Sequence, residues 1–403
     1  MPKRLAFFVL TAALCACTSD LHFQGTPRFT HEPGYRVPAD TTSPGPETDG
    51  RQHVYLTAVR YPEGFNWELD TCAVDGDVWL DLYRDGERIS SFPAGGSVHP
   101  DMHRFCSGHL YCDVSTETET IVYQDGKELF RFEGRESLRG FLVREGSVHT
   151  LGQDRDGNGL TYRIDGHTVF RSPVGTVLGD LDRNGRKGGA LMEDGEDLYF
   201  SYCAPVEGGK EYRVMRNGEW FRTLPDGRLG TVCDLLVHGG KVLRVLSTHR
   251  QLLLSDDDTN LTLGLPSGRS VYRARIVPWK DEILVLALAA DWIGRRYYIL
   301  TEGGDAFPFD SGVTIADLLT DREHLGWLLT DRTGTPERFS TPDGDNLDIP
   351  GDGFLASGRC ALLWEGKLLL ALSGHEGAPG CFWQDGQSTP VPFNGCFTSI
   401  TVE

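Results

Sequence analysis

After its first twenty residues, this chain of 403 residues contains no apolar run near the ~20 residues that a helix needs to cross a bilayer. A basic stripe is also missing. The chain has 39 Lys and Arg against 58 Asp and Glu, a formal net charge of −19. Phosphate recognition runs on clustered Lys and Arg, so nucleic acid is not an expected partner. No G-x-S-x-G, H-E-x-x-H or P-loop pattern is present, which excludes chemistry that a local motif would announce. Triads and carboxylate pairs assembled in space are left open by that absence.

Glycine, by contrast, is abundant at 49 residues, and Asp-Gly and Asn-Gly pairs recur throughout. That composition favours tight turns and short strands over long helices.

The N-terminus, MPKRLAFFVLTAALCACTSD, reads as a targeting signal. Lys3 and Arg4 precede an apolar run from Leu5 to Leu14. Leu14-Cys15-Ala16-Cys17 then has the form of a lipobox, which is cut before a cysteine that takes the lipid. Residues 1–16 are the expected signal peptide and Cys17 the lipidation site. Their removal takes the formal charge from −19 to −21 through the loss of Lys3 and Arg4. Acyl chains on Cys17 would hold the protein at a membrane, each buried CH₂ contributing about 0.8 kcal/mol. Residues 17–51, with Pro27, Pro33, Pro38, Pro44 and Pro46, read as a tether. The folded unit is expected over 52–403.

That unit repeats. Hairpin turns are expected at Asp85-Gly86, Asp125-Gly126, Asp165-Gly166, Asn217-Gly218 and Asp385-Gly386, with degenerate versions near Asp257, at Gly303-Gly304 and at Asp343-Gly344. Asp-Gly and Asn-Gly suit type I′ turns, whose two central residues need φ > 0. A more apolar hairpin precedes each, as in CDLLVHGGKVLRVLS (Cys233–Ser247). Strands apolar on nearly every residue are covered on both faces. Four strands in about 43 residues, repeated, need stacking to bury both faces. The expected architecture is all-β: an eight-bladed β-propeller of four-stranded antiparallel blades. Its C-terminal strand, CFTSITVE (Cys396–Glu403), closes the first blade; seven blades is the alternative count.

The lipobox followed by tandem strand-Asp-Gly-strand units resembles secreted propeller lipoproteins of the Bacteroidetes type, over residues 14–17 and roughly 52–403. The WD dipeptide of WD40 repeats is absent. The resemblance implies a protein of the bacterial cell envelope at the outer membrane, and it transfers no catalytic signature.

In a propeller the innermost strands line a channel. Aligning them by their turns gives Asp101, His103, Arg139, Asp234, Arg275, Asp317, Arg359 and Ser399 as lining residues, and all but Ser399 as ligand candidates. Arginine suits a carboxylate or sulfate through bidentate hydrogen bonds, so a sugar acid or anionic glycan is one candidate ligand. Structural ion pairs between blades are the competing reading. His99, Asp101 and His103 alternate as metal ligands would on a strand, or as ordinary surface or channel residues. DRDGNG (Asp154, Asp156, Asn158) and DLDRNG (Asp180, Asp182, Asn184) mimic calcium loops, although Asp, Asn and Gly are also plain turn formers. No cofactor is expected, and calcium is the ion that the two Asp/Asn loops would admit.

Trp67, Trp292 and Trp383 are placed in or near loops, where they could stack on sugars. Trp79, Trp279, Trp327 and Trp364 are placed in packing between blades. Eight cysteines follow Cys17 (Cys72, Cys106, Cys112, Cys203, Cys233, Cys360, Cys381 and Cys396), and at most two bridges are expected. The functional expectation is a membrane-anchored envelope binding module for a glycan or partner protein. The alternative is an envelope hydrolase or lyase with its site at the channel mouth.

Overall fold

The computed structural model describes residues 51–403 apart from short stretches, the longest being 66–77, 94–102, 179–189 and 225–230. The expected signal peptide, Cys17 and nearly all of the expected tether lie outside the described residues.

Eight antiparallel sheets follow one another along the chain. Blade 1 pairs Val54–Arg60, Trp79–Arg84 and Glu87–Pro93 with Gly395–Val402 as its innermost strand. Val54 lies opposite Val402 and Arg60 opposite Gly395, so the two ends of the chain close the ring within one sheet. Blades 2 to 8 begin with their inner strands at Arg104–Cys106, Glu136–Arg144, Val177–Leu178, Thr231–His238, Ser270–Trp279, Thr314–Thr320 and Ala361–Trp364. The eight-bladed count therefore holds, and so does the closure by the C-terminal strand.

The core is divided among the contacts between blades. Eight apolar clusters are present, and each is shared by two neighbouring blades. Leu56, Ala58 and Phe397 of blade 1 meet Leu369, Ala371 and Phe382 of blade 8, completing the circle. This division explains the apolar second strands. Glu282–Ala290 (EILVLALAA) is buried along most of its length because blades 5 and 7 cover its two faces. The outermost strand Glu87–Pro93 is mostly exposed or half-buried.

Blade 4 has an interrupted inner edge. Val177–Leu178 and Met192–Asp194 both pair with Asp197–Val206. Asp180, Asp182 and Asn184 fall between those pieces in sequence and lie outside the described residues; Asp156 and Asn158, between the second and third strands of blade 3, lie outside them too. Asp154 ends the second strand of blade 3, and its amide bonds to the Gly159 carbonyl at 3.0 Å.

The Asp-Gly turns are type I′ as expected, with φ 52° and 86° at Asp85-Gly86 and 51° and 75° at Asp125-Gly126. The degenerate turns are of another kind. At 301–305 and 341–345 the hairpin closes from residue i to i+4, and only Gly304 and Gly344 have positive φ. These are three-residue loops, a type I turn followed by a left-handed glycine.

Candidate functional site

The first-to-second and third-to-fourth strand connections lie on one face of the ring, many of them two-residue turns such as Glu145-Gly146 and Gly239-Gly240. The second-to-third connections and the links between blades lie on the opposite face, called here the loop face. His53, where the chain enters blade 1, and Glu403, where it leaves, are hydrogen-bonded to each other through their backbones on the turn face.

The inner strands show where the predicted residues fall. Asp234, Arg275 and Asp317 pair with Val245, Leu286 and Leu328, the same level in blades 5, 6 and 7. At that level blade 1 carries Ser399, opposite Thr57, and blade 3 carries Gly140, opposite Leu151. Arg139 is one residue away. It is the extra residue of a β-bulge, and its carbonyl accepts from the Ala190 amide at 2.8 Å. Arg359 precedes the inner strand of blade 8, in the 3-10 turn Gly358–Cys360. His103 is fully buried, and Asp101 lies outside the described residues. The charged level is therefore an arc over three blades.

That arc is already engaged. Asp234, fully buried, accepts from the Leu235 amide at 2.9 Å and from Ile276 of the next blade at 2.7 Å. Arg275 donates through Nη1 to Oδ1 of Asp317 in blade 7. Burial pulls the Arg275 guanidinium down, but the carboxylates of Asp317 and Asp234 outweigh it and hold the pKa above its ordinary value. Cys360 Sγ and Ser373 Oγ bond to the backbone of Phe397 between blades 8 and 1. These groups latch one blade to the next.

The loop end of blade 6 carries residues that the sequence reading did not single out. Tyr272 is the bulge residue of the inner strand and stands 59% exposed, with Arg273 beside it. Arg273, Leu288 and Tyr297 form one row across the blade, and Ala290 and Arg295 form the row at its rim. The Arg295 guanidinium carbon lies 4.8 Å from the Tyr272 ring centroid, within cation–π range. Burial pushes the Tyr297 hydroxyl up, while the charges of Arg273 and Arg295 pull it down and reduce the rise. The sequence signal for this group was the pair of phrases VYRAR and RRYY at the two ends that meet here.

Among the described residues, no group of three His, Cys, Asp or Glu is placed to hold a metal ion. No disulfide joins two of the seven described cysteines. Trp383, expected near a loop, is fully buried in the third strand of blade 8, Gly380–Gln384, against the cluster shared with blade 7. Burial on both faces of that strand overrides the neighbouring turn. Trp67 and Trp292 lie outside the described residues.

No protein-family model matches the sequence, and no curated protein is similar to it. Solved structures similar to it are propellers or contain one. BamB of Moraxella catarrhalis is 10% identical at a TM-score of 0.45, over 73% of this chain and 88% of that one. The β-propeller domain of the Trilobed protease of Pyrococcus furiosus is 13% identical at 0.44, over 74% and 94%. A puromycin-hydrolyzing peptidase of Mycobacterium tuberculosis is 12% identical at 0.44, over 73% of this chain, which spans about half (53%) of that peptidase. These likenesses are of blade architecture and carry nothing about activity.

Proposed function

We propose that the protein is a lipid-anchored binding module of the bacterial cell envelope, taking a glycan or a partner protein on its loop face. The observation that carries this reading is how the ring uses its charges. Asp234, Arg275 and Asp317, the charged inner-strand groups, are engaged in bonds that hold the frame: Asp234 accepts from Leu235 of its own blade and Ile276 of the next, and Arg275 pairs with Asp317 of the blade after it. A binding surface needs a stiff frame, whereas a hydrolase needs a carboxylate or histidine at liberty to exchange a proton. Arg139 and Arg359, both half-buried, and His103 complete the set proposed to shape the channel wall.

In this reading Cys17 carries the lipid, and residues 18–51 span the distance from the membrane to the turn face at His53. The loop face then lies at the far end of the ring from the point of attachment. The test is a glycan array with the chain lacking residues 1–50, run with and without EDTA. Saturable, sugar-selective binding supports the module, and its loss in EDTA would restore calcium to the loops at Asp154 and Asp180. Cleavage of arrayed glycans would instead favour the hydrolase or lyase. Anchoring is tested separately: Cys17→Ala is expected to leave the envelope pellet for the soluble fraction.

A further inference from the structure

Several arginines in this acidic chain are matched to carboxylates. Arg60 holds Asp81, Arg131 holds Glu119 and Glu128, Arg163 holds Glu136, Arg216 holds Asp197, and Arg338 holds Asp348. The loop end of blade 6 departs from that pattern. Among the described residues no carboxylate pairs with Arg295 or Arg296, which open the third strand Arg295–Thr301. Arg273, which is itself engaged, stands across the sheet on the inner strand, exposed at the same end.

The register places these groups on one surface. Leu284, Leu286 and Ile299 of blade 6 pack against Ile315 and Leu318 of blade 7. Leu288 and Tyr297 continue those alternating rows toward the loop face, and Arg273 and Arg295 end them. The bulge at Tyr272 turns that ring out beside the Arg295 guanidinium. The result is a rim over the contact between blades 6 and 7 with the Arg295 guanidinium, an exposed tyrosine and a half-buried one.

We propose that this rim is a subsite for an anionic saccharide, a uronate or a sulfated sugar. The inference rests on the binding-module reading and names its ligand class. A guanidinium presents paired N–H donors in the spacing of a carboxylate or sulfate, and such charge-assisted pairs are the stronger hydrogen bonds. A tyrosine beside it offers a flat apolar face to a pyranose ring and a hydroxyl to its edge. The chain as a whole carries a formal net charge of −19, so its repulsion of a bound polyanion grows with the length of that polyanion. The site is therefore matched to a short oligosaccharide or a chain end.

Calorimetric titration with trigalacturonic acid, a sulfated disaccharide and neutral galactotriose tests this, using the chain lacking residues 1–50. One of the two anionic probes should bind, galactotriose should not, and which anionic probe binds separates carboxylate from sulfate. Arg295→Gln and Tyr272→Ala should each weaken binding about tenfold or more. Both residues are exposed, so unfolding temperatures should not move, and Arg171→Gln on the exposed outer strand of blade 3 should bind like the parent. Equal binding by Arg295→Gln overturns the site. Binding of a triglutamate peptide as tight as that of the saccharide overturns the saccharide assignment. Saturable binding of a neutral glycan that survives both substitutions sinks this subsite while leaving the binding module standing. Failure of every probe and every arrayed glycan counts against both.

Discussion

The Asp-Gly and Asn-Gly pairs of blades 1 to 4 perform two tasks, and the sequence announced only one. The backbone of Asp125 supplies the positive φ of the turn, while its side chain accepts from the Leu110 amide at 2.9 Å and lies 2.6 Å from His109 Nδ1. Asp85 does the same at Val54 and His53, Asp165 at Val148, and Asn217 at Leu198. Each thus ties the outer hairpin to the start of its second strand. The glycine matters for space as well as φ. A Cβ on Gly126 would sit 2.6 Å from the Phe92 ring of the preceding blade, and one on Gly218 2.7 Å from Val169, whereas one on Gly386 would meet nothing within 4 Å. Gly126→Ala and Gly218→Ala should therefore cost more than Gly386→Ala, which bears only the left-handed strain of about 1–2 kcal/mol. Urea unfolding of the three variants checks the order. Equal losses would show that turn conformation alone selects the glycine. Asp125→Ala should cost about 1–2 kcal/mol, and Asp125→Asn less, because the amide oxygen still accepts from Leu110.

Among elements, repetition explains what was legible. Second strands that are apolar throughout and turns at intervals of about 40 residues identify the blades. The inner strands were harder, because a bulge displaces their register. Thr398, Arg139, Cys233 and Ala316 are extra residues at equivalent points of blades 1, 3, 5 and 7, and Tyr272 is one two residues earlier in blade 6. Counting back from the turn meets Asp234, Arg275 and Asp317 before any bulge; in blade 3 the same count reaches Gly140, and Arg139 is the bulge residue just beyond it. Nothing in a single sequence marks a bulge of this kind.

Acidic groups at the turn end of the inner strands act between elements too. Glu403 accepts from the Ser107 and Gly108 amides, Asp194 from Gly239 and Gly240, and Asp321 from Gly366, each in the next blade. Burial tends to raise the Asp321 pKa, but the amides of Gly366, His324 and Glu323 and the His324 ring outweigh it. The carboxyl is held below its ordinary value of 3.8. A depressed carboxyl contributes stability that is full above the unfolded value and is lost as pH falls through the folded one. Asp321→Asn should thus lower the melting temperature at pH 7, and the gap from the parent should close as pH falls below about 4. A gap that stays constant to pH 2 would contradict the role given to this carboxylate.

For the molecule as a whole, closure is the main structural event. Gly395–Val402 joins blade 1 and contributes Cys396, Phe397 and Ile400 to the clusters on both sides. A chain ending at Asn394 leaves those clusters open and should lose its single cooperative thermal transition, a change read by calorimetry. Retention of that transition would mean that the ring does not depend on its closing strand. The ring also keeps its edges from pairing with other sheets. Outer strands of blades 1 to 4 bulge at Ile89, Leu129, Val169 and Phe221, those of blades 6 and 7 are three residues long, and that of blade 8 contains Pro390. Bulges, short strands and proline are known means of blunting an edge. The proposed recognition surface is then the loop face, and its arginine–tyrosine rim was hard to read in sequence because two separate strand ends, VYRAR and RRYY, assemble it.

The most direct test of the account is to hold the soluble chain with its best-binding ligand, measuring heat of binding and the ligand's mass over many hours. A saturable isotherm with the ligand mass unchanged is the predicted result. Steady appearance of shortened or unsaturated products would contradict the binding-module reading and make the channel mouth an active site.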